Sequence, residues 1–453
     1  MLKYENVVYT IEKRINCGIM KPGEKLLSIR KATEAFDCNK ATIIRAYQEL
    51  ENRHLIYSIN KSGYYVVDSA LKEPFENTSK VDFYKVELQK ELIPYKDFQH
   101  CLNHAIERDK ASLFCYSKPQ GLDSLVEQVR KTLMNYQVFA DPANIIITSG
   151  VQQAIDILCR IPFCKCRDMI LIEQPTFHGA IHAIAHSNVQ VVGIERTYEG
   201  IDLKRLEHIF RTGRVKFFYT MPRYHNPLGT SLPEEQRQGI LELARKYDVY
   251  IVEDDYLADY DPIKSRDPLA AGNLDKVIYL KSFSKIFLPG LRVGVVVIPD
   301  EMRKMFAEYK RWTDLNTSIL SQGALEVYLK SGLFEKHIQN VQKVYHERMK
   351  AVKDVMDQFC PFPYHVPDGG MIFSIEVDRD VNVQRLLNEL ENHNMLIRDT
   401  SHNFLDHFRM KKILRLSVSN VDVETIYTYL PEILSTIPKA QGFDNQVAMV
   451  VSL

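Results

Sequence analysis

The chain has 453 residues, 45% apolar and 26% charged, a globular composition too long for one core, so about two or three folding units are expected. Lys+Arg and Asp+Glu both number 58, which excludes a whole-chain field aimed at nucleic acid; any such affinity must be local. No apolar run reads as a signal or a membrane span, and eight scattered cysteines lack the density of a disulfide framework, so a cytoplasmic, reducing location without membrane contact is expected.

The first 68 residues carry 11 Lys+Arg against 8 Asp+Glu, a small local positive excess. Val7, Val8, Ile11, Ile15 and Ile19 recur at helical spacing and predict a first helix over residues 6–18. Pro22-Gly23 marks a turn. Ser28 is placed to cap a helix from Arg30 to Phe36. After the turn Asp37-Cys38-Asn39, Asn39 is placed to cap another from Lys40 to Asn52. In that helix Ile43, Ala46, Tyr47 and Leu50 face inward, leaving Lys40, Thr42 and Arg45 exposed near its start. Leu55–Ser58 and Lys61–Val67 read as a short hairpin with a glycine tip at Gly63. Together these elements describe a winged helix-turn-helix, whose second helix enters the major groove of DNA. A helical docking or oligomerisation module is the other reading of the pattern.

Residues 69–81 are polar and aperiodic and read as a linker. From Asp82 to about Lys439, strand-like apolar runs alternate with amphipathic helices. The runs are Ile145–Thr148, Met169–Ile172, Val189–Ile194, Lys216–Thr220, Val249–Val252, Val277–Leu280 and Val293–Ile298. They predict an α/β domain on a largely parallel sheet. The large part extends to about residue 310 and a smaller part to about 439; residues 440–453 read as a tail. Cys159, Cys164 and Cys166 form the tightest cysteine cluster, without CxxC pairs or nearby His ligands, so plain thiols and no metal are expected.

Four motifs in this region suit one ligand. Thr148-Ser149-Gly150-Val151 ends a strand and opens a helix, where free backbone N–H groups suit a phosphate. Glu173-Gln174-Pro175-Thr176-Phe177 ends a strand with an aromatic face for stacking. Pro222–Gly229 is a rigid turn, and the next strand ends at Glu253-Asp254-Asp255-Tyr256, where α/β sheets bind ligands. Finally, Lys281-Ser282-Phe283-Ser284-Lys285 precedes Arg292 by seven residues, which suits an aldehyde cofactor bearing a phosphate. Lys285 would form the Schiff base, with Ser282, Ser284 and Arg292 on the phosphate. Singly, each motif also reads as an ordinary turn, core aromatic or surface charge; their order and spacing together point to the cofactor.

Two family resemblances rest on these residues. Gly18-x-x-x-Pro22-Gly23-Glu24-x-Leu26-x-Ser28-x-Arg30, Asn39–Ile43, Arg45-Ala46-Tyr47-x-x-Leu50-Glu51 and Gly63–Val66 resemble the GntR family of bacterial DNA-binding domains. Leu27 stands where Pro is usual and Asn39-Lys40 where Ser-Arg is usual, which keeps both the cap and the charge. The four motifs resemble fold-type I aminotransferases, as do Tyr116–Gly121, Ser321-Gln322-x-Ala324-Leu325, Pro367–Gly370 and Leu414–Ser417. As a whole the chain is similar to the MocR/GabR subfamily of GntR regulators.

The resemblance implies an N-terminal winged helix-turn-helix and an α/β fold-type I domain with a smaller C-terminal α/β part, binding pyridoxal phosphate (PLP). Lys285 would carry the cofactor and Asp254 would pair with its ring nitrogen. Asn226 and Tyr256 would bond the ring hydroxyl, and Phe177 would stack. Ser149, Gly150, Val151, Ser282, Ser284 and Arg292 would surround the phosphate, and Tyr116 would reach the neighbouring subunit's cofactor. Arg415 would clamp the carboxylate of an amino compound. Arg30, Lys40, Thr42, Arg45 and the wing at Gly63 would meet operator DNA. Gly179 stands where γ-aminobutyrate sensors of the family carry arginine, which speaks against that effector.

The implied protein is a head-to-tail homodimeric transcription regulator sensing PLP, an amino compound, or both by aldimine exchange at Lys285. The rival reading is a working aminotransferase that carries a DNA-binding module. Against a third, a structural dimer with a decayed site, stand the intact Lys285, Asp254 and Arg292.

Overall fold

The computed structural model describes residues 3–16, 19–21, 23–53, 55–59, 62–66, 80–163, 167–187, 189–261, 266–408 and 411–441. Gly18, Pro22, Lys61, Val67, Cys164, Cys166, most of the expected linker and residues 442–453 of the expected tail lie outside these. The chain divides into two compact units between Ser79 and Lys80. Among the described residues no helix is long and apolar enough to cross a membrane.

In the first unit, α1 (Lys3–Asn16) buries Val7, Val8 and Ile11 against the rest of a small core. Ile19, expected to extend this stripe, is 69% exposed because the helix has already ended. α2 (Ile29–Ala35) follows Ser28, whose hydroxyl accepts the Lys31 N–H. α3 (Lys40–Asn52) follows Asn39, whose side chain accepts the Thr42 N–H at 2.8 Å. Each cap satisfies a donor that the helix start leaves free. Ile43, Ala46, Tyr47 and Leu50 are buried as their spacing requires, and the Tyr47 hydroxyl ties α3 to the Leu27 carbonyl at 2.9 Å.

β1 (Ile56–Ile59) and β2 (Gly63–Val66) pair antiparallel. Gly63 lies opposite Ile59 as the first residue of β2, one step inside the expected tip. A third edge comes from residues before α2: Leu26 N–H donates to Tyr64 O and Val66 N–H to Glu24 O.

The second unit begins with β3 (Val81–Asp82) and is built on an eight-stranded sheet. Its strands are β4 (Ile145–Thr148), β5 (Met169–Gln174), β6 (Gln190–Thr197), β7 (Gly200–Ile201), β8 (Val215–Thr220), β9 (Tyr250–Asp254), β10 (Val277–Ser282) and β11 (Gly294–Val297). The order is β4-β11-β10-β9-β8-β5-β6-β7. β11 runs antiparallel to both neighbours and β7 antiparallel to β6; the other pairings are parallel. β4, β5, β8 and β10 are buried along their whole length, which is why they read as unbroken apolar runs. Because β11 is reversed, β4 regains the direction of β10. The carboxyl ends of β4, β5, β8, β9 and β10 therefore share one edge, where sheets of this kind bind ligands.

The smaller part holds β12 (Tyr364–His365), β13 (Ile372–Glu376), β14 (Met395–Leu396), β15 (Arg398–Asp399) and β16 (Ile413–Ser417). Four of these form an antiparallel sheet in the order β12-β13-β16-β15. Its first strand comes later than the boundary expected near residue 311, because the helix Ile319–Lys330 packs on the helix Tyr95–Asp109 of the larger part. Val81, expected to end the linker, is instead a strand residue: β3 runs parallel to β14, with Val81 opposite Met395. At the other end, Ala440 is buried and Gln441 bridges Val381, so both belong to the folded body rather than to a tail.

Replacing Asn39 with alanine removes the α3 cap and should cost the first unit about 1 kcal/mol, with Asn39→Asp retaining most of it. Hydrogen exchange at the Thr42 amide of the full chain is the direct readout. Unchanged protection in the alanine variant would mean the cap contributes nothing.

Candidate functional site

At the shared strand edge lies a cavity of about 510 Å³, a size typical of small-molecule sites. Its wall contains Val151, Phe177, Asn226, Asp254, Tyr256, Ser282, Ser284, Lys285, Arg292 and Arg415, brought together from six separate segments.

Asp254 ends β9 and is 3% exposed. The Tyr219 hydroxyl on β8 donates to its Oδ2 at 2.6 Å, while Oδ1 is buried without a partner. Burial lifts the carboxyl to about 7 against that opposing hydrogen bond. An unpartnered carboxylate oxygen in a dry wall fits a cationic ring N–H. Asn226 Oδ1 is likewise buried without a partner, and the Tyr256 hydroxyl beside it donates to Tyr224 O at 3.0 Å.

The two lysines of the fourth motif have opposite fates. Lys281 points into the body and donates to both carboxylate oxygens of Asp259 at 2.8 Å. Lys285 turns into the cavity, where its ammonium donates to Val86 O at 2.6 Å. Burial, reinforced by Arg415, lowers the Lys285 pKa and so favours the nucleophilic amine.

The end of the cavity expected to take a phosphate lies at the helix Val151–Arg160, with Gly150 at its N-cap. Gly150 has φ +87°, and a Cβ there would lie 2.6 Å from Arg292 Nη2, so only glycine lets the guanidinium come this close. Arg292 itself holds a left-handed backbone at φ 55°, rare for a non-glycine residue and typical of functional sites. Ser282 Oγ accepts the Ser284 N–H at 3.1 Å, which folds this turn toward the cavity.

Three expected cofactor contacts, Ser149, Gly150 and Tyr116, are not among the residues of the wall, the last having been expected at a neighbouring subunit's cofactor. The Ser149 hydroxyl donates to Asp314 at 2.8 Å and its N–H to Gln153, while its carbonyl accepts from Arg292 Nη2 at 3.3 Å. Tyr116 is 87% exposed and does not line the wall of its own chain. Glu173, quoted with the stacking motif, is structural. It accepts the Met221 N–H at 2.9 Å and lies 3.5 Å from the buried Arg196, locking the ends of β5 and β8 together.

Several wall residues had no sequence signal. Tyr84 to Glu87 pass along the cavity, and Arg415 Nη2 donates to Tyr84 O at 2.7 Å. Arg398 and His178 also line it. Tyr219 is found only through its pairing with Asp254.

In the first unit, Arg30 is exposed beside Glu34, and Lys40 is exposed at the start of α3. Thr42 gives its backbone N–H to the cap. Arg45 stacks on the Tyr4 ring of α1 at 4.2 Å, an engagement that the helical spacing alone did not suggest. On the wing, Tyr57 and Tyr65 stack at 5.8 Å.

Asp254 gains a proton on folding, since its ordinary value of 3.8 rises to about 7. Its favourable contribution is complete below about pH 4 and lost as pH rises through about 7. Above that, the buried charge costs a few kcal/mol, at about 1.4 kcal/mol per unit. Asp254→Asn should therefore raise the melting temperature of the cofactor-free protein at pH 8, with little effect at pH 4, while weakening cofactor binding. Equal melting of wild type and variant at pH 8 would mean that the carboxylate is hydrated.

A model of the bacterial regulatory proteins, gntR family, matches residues 3–66, and one of aminotransferase class I and II matches residues 84–430. The chain is 40% identical over 437 residues to the uncharacterised HTH-type transcriptional regulator YcxD of Bacillus subtilis, covering 94% of this chain and 98% of that one. It is similar to the solved kynurenine aminotransferase of Pyrococcus horikoshii, in complex with PMP, at 27% identity and TM-score 0.73 over 82% of this chain and 93% of that one. A second solved relative is LysN, the α-aminoadipate aminotransferase of Thermus thermophilus, complexed with N-(5'-phosphopyridoxyl)-L-leucine. The match is 26% identical with TM-score 0.72, over 80% of this chain and 92% of that one. The donor set of the cavity and these matches agree on pyridoxal phosphate as the cofactor. The chain belongs to the GntR-family transcriptional regulators in which the helix-turn-helix is joined to a class I and II aminotransferase domain of PLP fold type I.

Proposed function

We propose that this regulator binds operator DNA through α3 and the β1–β2 wing, with an affinity set by what the cavity holds. The observation that carries the reading is the pair of hydrogen bonds on residues 84–86. Lys285, the candidate cofactor lysine, holds Val86 O, and Arg415, the candidate carboxylate clamp, holds Tyr84 O. This segment follows, through residues 67–83 and thus through β3, from the helix-turn-helix unit. Pyridoxal phosphate supplies an aldehyde that condenses with primary amines. Lys285 offers the amine, kept reactive by burial. Asp254 holds the proton on the ring nitrogen, and Arg292, with the start of the helix Val151–Arg160, binds the phosphate. Asn226 and Tyr256 orient the ring, and Phe177 covers it.

An amino compound with a carboxylate competes for Arg415, and the carbonyl of Tyr84 then loses its donor. Only a ligand that distinguishes two conformations can shift the DNA-competent population, and this segment is the element it distinguishes. The same groups also suit a working aminotransferase; a helix-turn-helix joined to them favours control of DNA. A homodimer and a cytoplasmic location complete the reading, with the exposed Tyr116 available to a second chain.

DNA selected from a genomic library should bind with a steep loss of affinity as salt rises. Lys40→Ala and Arg30→Ala should each weaken it without releasing the cofactor. Unchanged affinity in both variants would reject α2 and α3 as the contact surface.

With saturating pyridoxal phosphate, an effective amino ligand should change DNA affinity by about 5–150-fold, the span of a 1–3 kcal/mol coupling. Arg415→Ala should lose that response while keeping basal DNA binding, and Lys285→Ala should lose the borohydride-fixable linkage to the cofactor. Rapid steady-state transamination together with no DNA selected would sink the regulator reading in favour of the enzyme.

A further inference from the structure

We propose that the amino ligand of this cavity carries two acidic groups, one held by Arg415 and the second by Arg398. The inference rests on the reading of the cavity as an amino-compound site and names the class of compound.

Arg398 on β15 and Arg415 on β16 are direct register partners of an antiparallel pair. Opposite residues on such strands put their Cβ atoms about 4.5–5.5 Å apart on one face of the sheet, and like charges there repel. Both side chains line the cavity. Among the described residues neither has a carboxylate partner in any ion pair of the structure. Arg398 lies over the Tyr84 ring at 5.2 Å. Arg415 is 4% exposed, spends one amino group on Tyr84 O and leaves Nε buried without a partner. Burial, and then Arg398, pull its guanidinium down to about 10. Two adjacent guanidinium groups, one of them desolvated and short of an acceptor, favour an anion between or beside them.

His178 adds a third donor or acceptor at this end. It lines the same cavity, and its Nδ1 is buried without a partner. Burial, then Arg398 and Arg415, hold it down to about 4, so it is neutral at physiological pH.

The charges of the wall can be assigned one by one. Its cations are Lys85, Lys285, Arg292, Arg398 and Arg415, and its acids are Glu87 and Asp254. Lys285 and Arg292 serve the cofactor, with Asp254 on its ring. Glu87 acts on Lys285, whose charged form it favours. Arg415 takes one carboxylate. Lys85 reaches the Asp82 carboxylate at 4.0 Å. Arg398 then remains, and a second carboxylate is the planar anion that its bidentate fork matches.

The test uses the full-length protein loaded with pyridoxal phosphate. Aspartate and glutamate are compared with asparagine and glutamine, which differ only in the second acidic group. Binding is read by the change in cofactor absorbance and by calorimetry. At least one acidic amino acid should bind about tenfold or more tighter than its amide, as expected when a charged hydrogen-bonding group loses its partner. Arg398→Gln should erase that preference by weakening the acid while leaving the amide unchanged, and Arg398→Lys should keep part of it. An unaltered cofactor spectrum in both variants shows that the site is folded. The proposal is overturned if the amides bind as tightly as the acids, or if Arg398→Gln keeps the preference; the amino-ligand reading then still stands. Failure of all four amino acids to bind would overturn both.

Discussion

The structure depends on keeping charge dry at the carboxyl edge of the sheet. Asp254 sits at the end of a buried strand with one oxygen bound by Tyr219 and the other without a partner. A carboxylate so placed is costly unless a cation meets it. The surrounding frame keeps the edge rigid. Glu173 joins the ends of β5 and β8 through the Met221 N–H. Arg223 is paired with Asp255, to which the Tyr279 hydroxyl also donates at 2.6 Å. Lys281 is neutralised by Asp259. Each of these ions is matched within the protein. Of those facing the cavity, Asp254, Lys285, Arg292, Arg398 and Arg415 form none of the structure's carboxylate ion pairs among the described residues, whereas Lys85 reaches Asp82 at 4.0 Å. That contrast separates groups that hold the fold from groups left for a ligand.

The same contrast explains why part of the site was legible in the sequence. Strands buried on both faces must be apolar throughout, so their runs and the polar residues that end them stand out. Asp254, Ser282 and Lys285 were visible for that reason, and the glycine at position 150 because a helix start packed against an arginine tolerates nothing larger. The caps Ser28 and Asn39 were equally visible, because a helix start has few ways to satisfy its N–H groups.

What was not legible depends on tertiary contacts. Arg398 sits on a two-residue strand with no periodicity, and only its register with Arg415 gives it meaning. Val81 lies in a polar stretch, and its strand exists because β14 offers an edge more than 300 residues later in the chain. Ser149 matched the phosphate motif by type, but Asp314 captures its hydroxyl. Ile19 fitted the apolar stripe of α1 by spacing alone and is exposed because the helix stops at Asn16.

The strap of residues 84–87 gives the two halves of the proposed function a common element. Arg415 is bound to a neutral carbonyl on it, and a charge-assisted bond to a carboxylate is roughly twice as strong. A carboxylate ligand therefore has the stronger claim on the guanidinium. The gain is limited, because the freed carbonyl of Tyr84 must find water or another donor, and only the difference is available to shift a conformation. Segment 84–87 is anchored before it by β3 and by the Ser417 N–H bond to Phe83 O, and after it by the Gln89 N–H bond to the Tyr345 hydroxyl, so loss of the Tyr84 contact loosens only the span between. Any signal to the unit upstream must therefore pass through β3 and its pairing with β14, so a ligand acts on that unit only as far as it shifts this anchor. By reciprocity, DNA that favours one position of the strap must favour the ligand that permits it.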